Sequence, residues 1–383
     1  MVSVRVLVSV VGVVLFVVGV FVGYFAGVVS GGATVTSTVT VTSVRTVTLS
    51  SVLTTTLTKT TTLTRTTTLT ATSTVTASRV VVVDALGRSV VFSRPPRRVV
   101  SLAPSITEIL FALGCGGRVV GVDSYSNYPP SLLVLEREGR VKVVGSYWKP
   151  DLEKIVALHP DVVFADAGVP SQVALAGRLA SAGIRVVFLY ASKAKDLTDI
   201  VRDIMVVATV MGVRDRGVRL VESIKSAINS VVERVSRLPR NRTLVLLGSP
   251  KYGVWAAGGG TFIDYVLRAA GGVNVAGRLH GWAYLSYSQL ASMNPSVVII
   301  SAMAGSAKSA RAILEAWAKT PLGRSRAFVN GTVCVFYGPA DDVLVRPGPR
   351  IAIAVRLVAW VLHPNAVSAP ANYTSYVYCV RHG

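Results

Sequence analysis

The sequence predicts an α/β protein: two α/β lobes with central, mainly parallel sheets, joined by a long helix and preceded by a transmembrane helix and a Thr-rich stalk. Three observations predict it. Valine-rich runs alternate with amphipathic stretches after Arg79, the pattern of strands and their covering helices. One segment is echoed later, Leu152–Phe164 reading LEKIVALHPDVVF and Tyr287–Ile299 reading YSQLASMNPSVVI. Between these segments a helical pattern runs from about Lys195 to Arg237 and stops before Pro239, because proline cannot continue a helix.

Taken from the N-terminus, residues Val6 to Val29 carry no charge and follow a single Arg5. As a helix they span about 36 Å, enough for a hydrocarbon core of about 30 Å, with Arg5 kept on the cytoplasmic side. The run is longer than a typical signal-peptide core and no lipid-anchor cysteine follows it. Residues 1–29 are therefore expected to be an uncleaved single-pass anchor that holds the rest outside the cell. Residues 30–78 are Thr/Ser-rich, with the hexads TTTLTK, TTTLTR, TTTLTA and TSTVTA from Thr54 onward. One Leu or Val per six residues buries too little for a solenoid, so this tract is expected to be an extended, O-glycosylated spacer. Fully extended, it reaches up to about 160 Å.

The N-terminal lobe is expected over residues 79–195. Val99–Leu102 reads as a buried strand, and Ser105 and Glu108 form a capping box for a helix that runs to Gly114. Further strands are expected at Val119–Val122, Val162–Ala165 and Val186–Tyr190. A helical spine follows over residues 196–239, broken near Gly212–Gly217. The C-terminal lobe and tail take residues 240–383, with a strand at Thr243–Leu247, a glycine loop at Gly258–Gly260 and a helix from Phe262 to Ala270. In the repeat, His159-Pro160 and Asn294-Pro295 each end a short helix, because proline restricts the residue before it.

Composition excludes several functions. Lys+Arg number 40 against 19 Asp+Glu, a net charge of +21, yet the basic residues are scattered and no nucleic-acid motif accompanies them. The four histidines lie far apart and the three cysteines make no CxxC pair, which disfavours a metal centre or a free-metal receptor; no resident cofactor is expected. A hydrolase or chelatase lacks its motifs, since there is no nucleophile elbow and Gly258–Gly260 lacks the Lys-Ser/Thr of a phosphate loop. A purely structural surface protein needs no aromatics clustered at lobe-facing loops.

Several separated motifs then resemble one family. DALGRSVVFSRPPRRVVSLAPSITEILFALG from Asp84, VVGVDSYSNYPP ending at Pro130, PDLEKIVALHPDVVFA, LASAGIRVVFL, GGGTFIDYVLRAAGGVNVA and RPGPRIAIA from Arg346 are similar to the iron-siderophore and vitamin B12 class of periplasmic binding proteins. The likeness covers residues 80 to 363 and is greatest to the B12-binding members. It implies a receptor that passes a metal chelate, corrinoid first and ferric siderophore or haem second, to the permease of an ABC importer. It implies a monomer that binds no nucleic acid and is tied to the membrane only by its N-terminal helix. The ligand walls it implies are Ser105, Thr107, Tyr125, Tyr128, Tyr147 and Trp148 on the first lobe, and Trp255, Trp282, Asp342 and Arg346 on the second. Trp148 and Trp255 read equally as packing residues, Asp342 as part of a turn, and Arg346 as the cap of the next helix.

Two departures stand out. Asp166 occupies a place where the B12 binders carry an aromatic. For permease docking the resemblance implies one glutamate per lobe; Glu153 fits the first, but Ser288 stands at the second. Glu153 also reads as a first-turn acid that complements its helix dipole. Sequons at Asn241, Asn330 and Asn372 are candidate acceptors on an external protein. Outside the cell Cys334 and Cys379 are able to pair, or all three cysteines stay free.

Overall fold

The computed structural model describes residues 34–53, 57–76, 79–303 and 305–381. They belong to two compact units, Met1–Arg79 and Val80–Gly383. The anchor predicted at residues 6–29 lies outside the described residues. Among the described residues no helix is long and apolar enough to cross a membrane.

In the first unit Thr34–Leu53 pairs antiparallel with Leu57–Thr76, in register from Thr34 opposite Thr76 to Leu53 opposite Leu57. The strands are extended, but their pairing shortens the reach of about 160 Å expected for the fully extended tract. Threonine and valine favour strands, and the chain doubles back on itself. Strands of 20 residues reach about 66 Å at roughly 3.3 Å per residue.

The second unit holds a two-stranded antiparallel hairpin, Val80–Val83 with Ser89–Phe92, and two larger sheets. The first has five strands, all parallel, in the order Lys142–Val143, Val119–Val122, Val99–Ser101, Val162–Asp166, Arg185–Leu189. The second has a parallel centre of Asn241–Leu247, Val297–Ser301 and Thr332–Phe336. Antiparallel strands flank it, Trp255–Ala257 and Trp282–Tyr284 on one side and Val377–Arg381 on the other. Gly272–Asn274 pairs beside the start of Asn241–Leu247. Val162–Asp166 and Val297–Ser301 are buried along their whole length, as parallel strands covered on both faces must be.

Leu197–Val210 and Arg214–Val235 form the spine. The break is narrower than the sequence suggested: Gly212 takes a positive φ of 71°, whereas Gly217 lies inside the second helix. A Cβ on Gly217 would come within 2.6 Å of the Ala208 Cβ, so the glycine permits the two helices to cross closely. One apolar core runs through the spine into both lobes, from Ile106, Phe164 and Val187 to Val245, Phe262 and Phe336. The outer face of each sheet has its own core, around Val163 and Phe188 in one lobe and Val298 and Trp317 in the other.

The repeat is real structure. Leu152–Ala157 and Tyr287–Met293 are both short helices, and His159 (φ 43°) and Asn294 (φ 37°) both turn through the left-handed region before a buried strand. The glycine loop supports close packing of backbone on backbone. A side chain at Gly258 would strike the Leu279 carbonyl, and one at Gly259 the carbonyl of Gly277.

Candidate functional site

The lobes meet where the loop after strand Val99–Ser101 touches segment 346–350. Gly348 packs so close that a Cβ there would lie 3.4 Å from the Ser105 carbonyl oxygen. A second tie is the Phe262 amide, which donates to the Ala194 carbonyl at 3.2 Å. Ligand clefts favour such lobe boundaries at the carboxyl ends of parallel strands.

A buried ionic network crosses this boundary. The predicted capping box is corrected: Ala103 precedes the helix Pro104–Ala112 and Pro104 begins it, while Ser105 makes no cap bond. With its register set by Pro104, the helix carries Glu108 inward, where it is 2% exposed. Glu108 accepts from Arg350 Nε at 2.8 Å and from Arg346 Nη1 at 3.2 Å. Arg346 also donates to Asn127 Oδ1 (2.7 Å), the Tyr125 carbonyl (3.2 Å) and Asp342 Oδ1 (2.6 Å). Asn127 Nδ2 closes the circuit on Asp342 Oδ2 at 3.1 Å. The Arg350 guanidinium lies 4.0 Å from the Tyr128 ring centroid, a cation–π stack. Burial works against the Arg350 charge, but Glu108 overrides it and holds the group protonated. Two carboxylates thus balance two guanidiniums. Asp342 lies in the helix Gly338–Val345 and not in a turn, and Arg346 ties the lobes together instead of capping the next helix.

The first-lobe wall has a polar layer beneath exposed rings. Tyr125 and Tyr128 are exposed. Ser105 and Thr107 are buried; Thr107 Oγ1 engages Ser101 Oγ and Ser126 Oγ, each at 2.8 Å, and so presents no free hydroxyl. Tyr147 donates its hydroxyl to Asp166 Oδ2 at 2.6 Å. Asp166 also accepts from the Gly168 amide (2.7 Å) and the Ser192 amide (3.0 Å). Burial raises the Asp166 carboxyl above its usual range, against the pull of these donors. Burial and the Asp166 charge in turn raise the Tyr147 phenol. Trp148 is 61% exposed and meets Tyr147 edge-on at 4.6 Å.

The second-lobe wall is an antiparallel ladder. Trp255 pairs with Tyr284 and Ala257 with Trp282, so period-two alternation puts Trp255, Trp282 and Tyr284 on one face. Trp282 opens the strand Trp282–Tyr284. All three rings are exposed. Trp255 meets Tyr284 edge-on at 5.2 Å, and Trp282 meets the buried Phe262 at 5.9 Å.

Glu153 and Ser288 are exposed first-turn residues of the two repeated helices. Asn330 and Asn372 are exposed, whereas the Asn241 side chain donates to the Leu362 carbonyl at 3.0 Å. Cys334 and Cys379 are disulfide-bonded across the strand pair Thr332–Phe336 and Val377–Arg381, and Cys115 is free and buried. An open hollow of about 430 Å³ lies at the other end of helix Pro104–Ala112, lined by Leu113, Arg216 and Arg219 among others. Arg216 there donates to the Leu113 carbonyl, which accounts for it structurally.

Sequence reasoning missed Glu108, Asn127, Arg350 and Tyr284. Arg350 stands in the same RPGPR segment as Arg346, and Glu108 is the one charge in the apolar run SITEILFALG; both are available signals.

Comparison with known proteins agrees with this architecture. A family model described as periplasmic binding protein matches residues 99–334. An uncharacterized ABC transporter substrate-binding lipoprotein of Bacillus subtilis is 25% identical over 291 residues, 75% of this chain and 86% of that protein. A vitamin B12-binding protein of Yersinia pseudotuberculosis is 28% identical over 224 residues, 58% of this chain and 76% of that one. Among solved structures, a periplasmic haem-binding protein of Pseudomonas aeruginosa is similar with a TM-score of 0.63 and 26% identity, covering 75% of this chain and all of that one (100%). A vitamin B12-binding protein of Vibrio cholerae shares the fold with a TM-score of 0.55 at 24% identity, covering 70% of this chain and 97% of its own.

Proposed function

The chain belongs to the periplasmic binding protein family, and from that premise we propose that it is an extracytoplasmic receptor delivering a metal chelate to an ABC importer. The observation that carries the reading is the pair of exposed aromatic walls, one on each lobe. Tyr125, Tyr128 and Trp148 stand exposed on one lobe and Trp255, Trp282 and Tyr284 on the other, above a charge-balanced junction. Aromatic rings bury about 150–250 Å² each and fix a broad, partly apolar disc with little loss of side-chain entropy. In this reading the chain's own residues bind and orient.

The ligand proposed first is a corrinoid, supported by the SYSNYPP and Trp282 segments and by the B12-binding relative. A haem or ferric-chelate receptor is the second reading, favoured by Asp166 standing where the B12 binders have an aromatic and by the haem-binding structural neighbour. The N-terminal helix and the Thr-rich ribbon are proposed to hold the lobes outside the membrane, with Glu153 docking the permease.

Titrating the full-length protein with cyanocobalamin, haemin and ferrichrome, followed by tryptophan fluorescence, tests the proposal. Quenching by the corrinoid, reduced in Trp282→Ala, is the expected result. Binding of none of the three overturns it.

A further inference from the structure

Met303 follows strand Val297–Ser301 and belongs to no motif singled out in the sequence. Its backbone lies in the left-handed region, with φ 49°, a conformation that costs an ordinary side chain energy and that glycine or asparagine normally supplies. Its side chain is 73% exposed, so apolar packing does not compensate the strain. What holds the residue is a carboxylate: the Met303 amide donates to Asp341 Oδ2 at 2.7 Å, and Asp341 is itself 5% exposed. A polar group is thus buried to present an apolar one to solvent. Strained positions of this kind cluster where a side chain must be aimed.

The aim can be traced through the contacts. Asp341 and Asp342 are neighbours on helix Gly338–Val345 and have different partners. Asp341 grips Met303, and Asp342 reaches Asn127 and Arg346 at the junction of the lobes. The Met303 sulfur lies 4.0 Å from where a Gly248 Cβ would sit, and Gly248 follows Leu247, the residue paired with Trp255. The thioether therefore sits at the carboxyl end of the central strands, beside the wall that carries Trp255 and Tyr284. Thioether sulfur is polarizable, packs well against flat π-systems and is a known partner of the metal in a tetrapyrrole.

We propose that Met303 is a ligand-contacting residue that lays its thioether on the face of a flat metal macrocycle, a corrinoid or a porphyrin, rather than on an open-chain ferric chelate. The inference rests on the receptor reading above and names its substrate class. The junction arginines fit the same choice. Arg346 and Arg350 are already committed to Glu108 and Asp342, which leaves neither guanidinium at the junction free for an anionic open-chain chelate.

The test uses the five methionines of the chain, labelled at the methyl carbon in the full-length protein and followed by NMR during titration with aquocobalamin, haemin and ferric dicitrate, an anionic open-chain chelate. With a macrocycle the Met303 methyl signal should move strongly while the signals of the remote Met205 and Met211 stay in place. Met303→Ala and Met303→Gly should each weaken macrocycle binding at least tenfold. Met303→Gly relieves the positive φ, so its melting temperature should equal or exceed that of the wild type; a merely structural Met303 would lose stability and binding together. If a macrocycle binds but the Met303 signal and both variants are unaffected, the inference is overturned and the receptor reading stands. Binding of ferric dicitrate alone overturns the inference too, and binding of no probe overturns both.

Discussion

The two lobes share a unit and use it differently. Helix Leu152–Ala157, turn and strand Val162–Asp166 in the first lobe match helix Tyr287–Met293, turn and strand Val297–Ser301 in the second. Around that unit the first sheet is wholly parallel, so both its faces are covered. Its cleft residues come from loops, and Tyr125, Tyr147 and Trp148 stand over a buried layer of Thr107, Ser126 and Asp166. The second sheet adds antiparallel edge strands that keep one face open, and there Trp255, Trp282 and Tyr284 are displayed directly from the ladder. The comparison teaches that a parallel sheet must delegate recognition to its loops, whereas an antiparallel edge carries it on the strands.

The largest effect is expected where the lobes join. Glu108→Ala leaves Arg350 buried without its partner, and breaking a buried pair costs about 3–5 kcal/mol. Urea unfolding should show that loss, and a Glu108→Leu/Arg350→Met double variant should recover much of it. A loss under about 1 kcal/mol would mean that the junction is wetter and weaker than its geometry implies. Next comes the tail of the second lobe. The Cys334–Cys379 bridge closes a loop with a sequence separation of 45, and removing such a link costs about 2–4 kcal/mol. The Cys334→Ser/Cys379→Ser variant should destabilise the second lobe while leaving hydrogen exchange in strand Val162–Asp166 unchanged until global unfolding. Equal loss of protection in both lobes would show that they unfold as one unit.

A pH test compares the spine with the second lobe. Burial pushes the carboxyls of Asp203 in the spine and Asp341 in the second lobe up to about 7. A carboxyl whose folded pKa lies above its unfolded value favours the protonated fold. Its contribution is complete below about pH 4 and is lost as pH rises toward 7, up to about 4 kcal/mol for a fully realised shift. Asp341→Asn should therefore flatten the fall in stability between pH 4 and 7 relative to wild type, by roughly 1–3 kcal/mol across the window. Melting curves over that range check it; an unchanged wild-type-minus-variant difference would mean that Asp341 stays ionised throughout.

How much of this was legible depended on how local the cause was. Strands such as Val162–Asp166 and the repeated turns at His159 and Asn294 were readable because apolar runs and X-Pro steps act within a few residues. Trp282 and Trp255 were singled out, but their shared face follows from an edge-strand pairing that no local pattern specifies. Glu108 was misread as part of a cap because Ser105 and Glu108 have capping spacing, while the true partners are more than two hundred residues away. Strand propensity marks the Thr-rich tract as extended but does not say whether a strand finds a partner. Met303 was invisible, since its position depends on Asp341 gripping its amide from another helix.

The smallest expected effect on stability separates the outer faces of the repeat. Glu153 is exposed in the first turn of Leu152–Ala157, behind the cap that Asp151 makes to the Lys154 amide. An acid there favours the helix dipole by about 0.3–1 kcal/mol, so Glu153→Ala should cost no more than that. Ser288 holds the equivalent place behind the capping box of Ser286 and Gln289, and with no charge to lose Ser288→Ala should be nearly neutral. If docking is carried by the first lobe, the two variants part company in transport. Truncating one partner of a buried interfacial pair costs about 2–5 kcal/mol, enough for Glu153→Ala to abolish ligand-stimulated uptake while ligand affinity stays at the wild-type value. Ser288→Ala should transport normally, because a hydroxyl at that site contributes at most a neutral hydrogen bond. Uptake measured in reconstituted vesicles decides between the roles of Glu153: equal rates for Glu153→Ala and wild type would leave it a helix-start residue and place the docking charge elsewhere on the receptor.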